Sequence, residues 1–166
     1  MFPRSKGRGL GTLVTASVIE YCREAGMTTL QMEAISQSGV EATGHQVWPL
    51  LGFTWSREEH AEIAKRGFLR EVTRRYGTDS DEVARAQGLH HAWDFSAFTD
   101  QGGTRVGFEL MHLRTLDPEV QLPQLVPMVR KLGAPGWEAA EAVWQQTLDR
   151  LKKKFDKTKK TMKGWP

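Results

Sequence analysis

The chain has 166 residues, enough for one ordinary domain, and its 39% apolar and 26% charged residues include no run long enough to span a bilayer, which needs roughly 18 to 20. Met1-Phe-Pro-Arg4 leads into glycines rather than an apolar leader core, and one cysteine, Cys22, excludes an intrachain disulfide, so a cytoplasmic, reducing setting without membrane contact is expected. The net charge of +3 comes from the end of the chain: Arg150 to Lys163 holds eight Lys/Arg against Asp156, while the rest has 15 basic against 19 acidic residues, which excludes a basic surface over the whole body.

In chain order, Lys6-Gly-Arg-Gly-Leu-Gly-Thr12 opens an amphipathic segment in which Leu10, Val14, Val18, Tyr21, Cys22 and Ala25 recur at helical spacing, with Gly26 placed to end it. Met27 to Glu33 alternates and predicts a strand. Val40 to Leu51 reads as a helix closed by Gly52, with Pro49 a liability late in it, and Phe53-Thr-Trp55 as a short strand. Ser56 is placed to cap a helix from Arg57 to Tyr76, with Glu59 completing a capping box and Gly77 ending it. A helix follows from about Asp81 to Gln87, then a turn at Gly102-Gly103, and Val106 to Leu113 is a strand or a buried segment. Prolines 118, 123, 127 and 135 punctuate a loop-rich region in which Gln124 to Leu132 reads as a short helix. The last element is a helix from Gly136 to about Lys160, its Trp137, Trp144 and Phe155, with Trp93 and Phe95 upstream, spaced for core packing.

The glycine segment makes a chemical prediction of its own. Glycines let the backbone approach a ligand closely, the free amides of a helix start favour an anion such as pyrophosphate, and Lys6 and Arg8 add charge-assisted contacts. The spacing is neither that of a Walker A loop nor that of a dinucleotide fingerprint.

Lys6-Gly-Arg-Gly-Leu-Gly11, the helix to Ala25, the strand Met27 to Glu33 and the closing Trp48-Pro-Leu-Leu-Gly52-Phe53 together resemble the GNAT superfamily of acyl-CoA-dependent N-acyltransferases. The resemblance covers residues 4 to about 55. It implies a partial sheet of that family followed by a mainly helical extension, 56–166: an α/β (α+β) chain in two parts. It also implies acetyl-CoA as co-substrate and an amine as acceptor. Lys6, Gly9 and Gly11 match the three defining loop positions, with Gly7, Arg8, Leu10 and Thr12 supplying the rest of the pyrophosphate cradle; Arg4-x-x-Gly7-x-Gly9 fits the short pattern as well.

The match begins in the middle of the family's pattern, so a fragment, or a sheet completed by later segments or another chain, is expected. It also departs chemically. Where many members carry a tyrosine that protonates the departing thiolate, this chain has Trp48, whose indole N–H has no useful acidity, and Glu41 replaces the usual asparagine. Glu33 at the strand end and His45 are the residues left to serve as base, so CoA binding survives the comparison better than turnover.

Other motifs are less specific. His90, His91 and Asp94 offer at most two metal ligands one turn apart, so no metal is expected; His60 and His112 have no partner spacing, and Cys22 reads as a buried small apolar residue. The basic end, Arg150 to Lys163, suits an acidic partner or nucleic acid, or a solvated helix end. The rival to an acyltransferase is a non-catalytic assembly protein, oligomeric, of the kind a phage or mobile element encodes.

Overall fold

Helix α1 (Leu10–Glu24) stops at Gly26, whose φ of 76° suits a residue without a side chain. The Gly26 amide donates to the Arg23 carbonyl at 3.0 Å and the Met27 amide to the Cys22 carbonyl at 2.9 Å, the paired bonds of a Schellman stop. The buried face is not the expected one. Ile19 and Cys22 are buried, whereas Val14, Val18 and Tyr21 are 65%, 51% and 67% exposed. Two apolar stripes run along this helix, and tertiary packing selects the one through Ile19 and Cys22.

The computed structural model describes residues 10–37, 42–43, 47–114 and 125–162, and the chain falls into two compact units. One comprises the chain up to Thr29 and from Lys131 onward. Besides α1 it holds the long helix Glu138–Met162, and Arg23 bridges Glu20 at 2.8 Å and Glu141 of that helix at 3.0 Å. Leu132, Ala140, Val143 and Trp144 are buried with Ile19 and Cys22, so Trp144 is a core residue as expected; the Phe155 side chain lies outside the described residues.

The other unit, Leu30–Arg130, carries a small sheet and several helices among its described residues, so the chain as a whole is α+β. The strands are β1 (Thr29–Gln37), β2 (Ala42–Thr43), β3 (Thr54–Trp55) and β4 (Leu125–Lys131), in the order β2-β1-β4-β3. β2 pairs antiparallel with β1 through Ser36↔Thr43 and Gln37↔Ala42, and β3 with β4 through Thr54↔Val129 and Trp55↔Met128. Just beyond the strands, the Leu132 amide donates to the Thr28 carbonyl at 2.9 Å; with β4 before that bond and β1 after it, the two run antiparallel.

Two expected helices are corrected here. Of Val40 to Leu51, Ala42–Thr43 is strand β2, Val47 is helical and Trp48–Leu51 is a 3-10 turn, while residues 40–41 and 44–46 lie outside the described residues. Thr43 is β-branched and favours strand, and Pro49 can sit only at the start of a helical turn. Gln124 to Leu132, read as a short helix, is strand β4: Val126, Met128 and Arg130 are buried while Pro127, Val129 and Lys131 are less so, a period of two.

The helices are α2 (Glu58–Tyr76), α3 (Asp81–Gln87), α4 (Ala92–Ala97) and α5 (Gly107–Arg114), with Glu138–Met162 as α6. Val106 to Leu113 therefore resolves as helix rather than strand, with Leu110 and Met111 buried. Ser56 does not cap α2. Arg57 stands at the cap position without a side-chain bond, and α2 relies on Glu58 and Glu59 in its first turn and Arg74 and Arg75 in its last to complement the helix dipole. Ser80 caps α3, its Oγ accepting the Val83 amide at 3.3 Å.

The core of this unit is aromatic. Phe68 lies edge-on to Phe95 at 4.9 Å and to Phe98 at 5.6 Å, and Trp55 edge-on to Phe95 at 5.4 Å. Val72, Val83, Val106, Leu110 and Met111 close around them. α5 enters this core through Gly107, whose amide donates to the Phe98 carbonyl at 3.0 Å. A Cβ there would sit 1.9 Å from the Phe95 carbonyl oxygen and 2.9 Å from the Phe98 nitrogen, both backbone atoms. Gly107→Ala should therefore destabilise the fold by about 1–3 kcal/mol or more, as overpacked cores do. Urea denaturation measures this, and unchanged stability would refute the close approach.

Tyr76 closes the outer side of that core, its hydroxyl buried without a hydrogen-bond partner. Burial pushes its pKa above the ordinary 10.0; Arg75 pulls the other way, and Asp100, Glu82 and Glu109 push with burial. The fold thus holds the phenol proton more tightly than the unfolded chain does. That contribution is whole below pH 10.0 and is lost as pH rises through the folded value. Tyr76→Phe should flatten the alkaline loss of stability and change neutral stability by less than about 1 kcal/mol, since no hydrogen bond is removed. Thermal melts of both proteins from neutral to alkaline pH check it.

Candidate functional site

Strand β4 creates an open cleft by failing to complete its ladder with β3. The Ser56 amide and hydroxyl both donate to the Pro127 carbonyl at 3.1 Å, but Pro127 has no N–H to return a bond. Pairing stops there and the chain turns into α2, leaving Ser56 and Arg57 at the rim. Gln31, Met32 and Glu33 of β1 and Pro127 and Met128 of β4 supply the other walls of a cavity of about 360 Å³. Period-two alternation sets Gln31 and Glu33 on one face of β1, where both are exposed. The Arg57 guanidinium stands 3.6 Å from the Glu59 carboxylate. The cleft offers a carboxylate, a guanidinium, a hydroxyl and an amide, a set suited to a small polar ligand.

Of the residues singled out from sequence, Glu33 lines this cleft. Trp48 does not. It opens the 3-10 turn and packs edge-on to the buried Phe53 at 5.5 Å, while Gly52, at a φ of 81°, closes the turn with its amide on the Pro49 carbonyl at 3.0 Å. His45 and Lys6, Gly7, Arg8 and Gly9 lie outside the described residues. Leu10, Gly11 and Thr12 form the first turn of α1, a turn without an acidic side chain, and a Cβ on Gly11 would meet nothing within 4 Å.

The rim residues Ser56 and Arg57 and the wall residues Gln31 and Pro127 were not singled out. Gln31 could have been found from its alternation with Glu33. Pro127 could have been found from a proline inside a short apolar run, which marks a ladder's end.

His91 has a local role. The Asp94 carboxylate accepts the His91 amide at 3.0 Å as the start of α4, and the His91 ring stacks on Trp93 at 4.4 Å. His60 is buried in the first turn of α2, its Nε2 3.9 Å from the Glu59 carboxylate, and the His112 side chain lies outside the described residues. Among the described residues no three His, Cys, Asp or Glu side chains are grouped to hold a metal, and no helix is long and apolar enough to cross a membrane. Comparison with protein-family models, curated proteins and solved structures finds no match for the chain.

The rim is tied to the helices through Thr54, whose buried Oγ1 accepts the Ala92 amide at 2.9 Å where α4 begins. Thr54→Val keeps the shape and leaves that amide unpaired, so it should cost about 1–3 kcal/mol. Chemical denaturation measures it; a cost near zero would mean that another group takes the amide.

Proposed function

We propose that the chain binds acyl-CoA in the manner of the N-acyltransferases it resembles, with Lys6 to Thr12 cradling the pyrophosphate and acetyl-CoA as the ligand. One observation carries the reading: the 15-residue helix Leu10–Glu24 follows Lys6-Gly-Arg-Gly9 in sequence, and its first turn has no acidic side chain to repel an anion. The downstream order supports it, with a Schellman stop, strand β1, a turn closed by Gly52-Phe53 and strand β3.

In this reading an amine attacks the thioester carbonyl directly, the carbon–sulfur bond breaks and CoA leaves as thiolate. Glu33 and His45 are the bases drawn from sequence for the amine's proton, and Glu33 is exposed on a cleft wall. Trp48 cannot reprotonate the thiolate, and a missing general acid typically costs about 10²–10⁴ in rate.

A second reading, a non-catalytic assembly protein, is favoured by the exposed stripe of Leu13, Val14, Val18 and Tyr21 on α1. The exposed Lys152 and Lys153 on α6 suit an acidic partner.

Isothermal titration with acetyl-CoA and with CoA tests the first reading. Both should bind, and competitively, because the contacts are to the pyrophosphate. Gly11→Ala should keep the helix, since the Cβ enters open space, and weaken binding about tenfold or more by intruding on the cradle. Absence of binding by the unaltered chain, or a Gly11→Ala protein that binds equally well, would refute it.

A further inference from the structure

Helix α6 ends in a basic segment with no part in the acyl-CoA reading. Its first half is anchored, with Ala140, Val143 and Trp144 buried and Thr147, Leu148 and Leu151 half-buried. Beyond Asp149 the character changes: seven Lys/Arg stand against Asp156 before the helix ends at Met162. Arg150, Lys152, Lys153, Lys154 and Lys157 are all exposed. Complementing the helix dipole accounts only for the last turn, and Arg150 to Lys157 precede it. At about 100° per residue, positions 150, 153, 154, 157 and 160 fall within an arc of about 120°, a stripe about 15 Å long. The acids Asp149 and Asp156 fall just beyond one edge of that stripe, and Lys152 and Lys159 on the opposite side of the helix.

We propose that this stripe binds the phosphate backbone of a nucleic-acid duplex, without sequence preference. A duplex carries one negative charge per about 1.7 Å of axis, so a row of cations about 15 Å long meets phosphates along its whole length. Four of the five stripe residues are lysine, a compact charge that engages phosphate without the geometric demand of arginine's planar fork. No aromatic residue falls on the stripe, so a single strand finds no surface on which its bases can stack. A bilayer is disfavoured as well. An interfacial helix needs a continuous apolar face of its own, and the face that Trp144, Leu148 and Leu151 share is taken up by the fold. The chain ahead of Arg150 has 15 basic against 19 acidic residues, so its net charge repels phosphate and leaves the contact to α6. The inference stands apart from the acyl-CoA reading, which concerns the glycine segment ahead of α1.

Fluorescence anisotropy of the full chain with two DNA duplexes of unrelated sequence should give the same dissociation constant for both, about 10⁻⁴–10⁻⁶ M at physiological salt. With five phosphate contacts, the logarithm of the binding constant should fall against the logarithm of salt concentration with a slope of about −4.5. Lys153→Gln together with Lys157→Gln keeps good helix formers and should weaken binding about tenfold or more, reducing the slope by about 2. Lys152→Gln together with Lys159→Gln makes the same change in net charge off the stripe and should move the slope by less than about 1. Circular dichroism checks that both double variants stay helical. Absence of binding to either duplex overturns the proposal, as does preference for one sequence or equal loss from the two double variants. So does binding as tight or tighter to a single strand, to polyglutamate or to phosphatidylcholine–phosphatidylserine vesicles.

Discussion

Strand β4 is hydrogen-bonded along both edges, and the sheet exists only because a late segment inserts between two early ones. The Ser56–Pro127 bonds join residues 71 apart in sequence. Such separation is less costly than it looks, because loop-closure entropy grows only as the logarithm of length and α2 to α5 fold within the span. β4 also satisfies the turn ahead of β3: the fully buried Arg130 donates to the Leu51 carbonyl, a charge-assisted bond to a group that the short 3-10 turn leaves open. Removing the strand would strand the Leu51 carbonyl and the Ser56 amide together.

The same segment sets where the sheet stops. A residue with an N–H at 127 could return the bond from Ser56, and β3 could run on past Trp55. Proline forbids this, so the chain leaves the sheet and begins α2. The cleft is thus a consequence of one missing donor. Its opposite anchor is the aromatic cluster, where Phe95 contacts both Phe68 and Trp55. Because Trp55 precedes Ser56 directly, the cluster fixes the rim through one covalent step, and Thr54 fixes it again through the Ala92 amide.

Helices α1, α2 and α3 were legible in the sequence because signals at their ends are local. Gly26, Gly77 and Ser80 mark ends of α1, α2 and α3, and each does so through its own backbone angle or side-chain bond. The strands were less so. Leu125-Val-Pro-Met-Val129 is too short and too apolar for periodicity to separate strand from helix, and its partners lie far away in sequence. Val40 to Leu51 misled in part for the opposite reason: its apolar spacing suggested one helix, while Thr43 pairs in a strand and Pro49 tightens Trp48–Leu51 into a 3-10 turn. The buried face of α1 could not be chosen from sequence, since Val14 and Val18 are as apolar as Ile19 and Cys22, and only packing decides between them.

The site was legible in proportion to how local its chemistry is. An anion cradle at a helix start needs only consecutive amides, so glycines and an adjoining helix suffice to mark Lys6 to Thr12 as a candidate. The cleft draws on β1, β4 and the turn into α2, and of its walls the sequence marked Glu33 alone, as an acidic residue at the end of an alternating run. A reacting centre demands still more, because side chains from separate elements must meet within hydrogen-bond reach of the same atom. Trp48 illustrates the gap. Its position relative to Gly52 can be counted along the chain, yet its ring is occupied in packing against Phe53 and is not among the cleft residues. A motif spacing can therefore carry a binding proposal further than a catalytic one: backbone amides follow from the local fold, whereas a proton donor must be both the right group and in the right place.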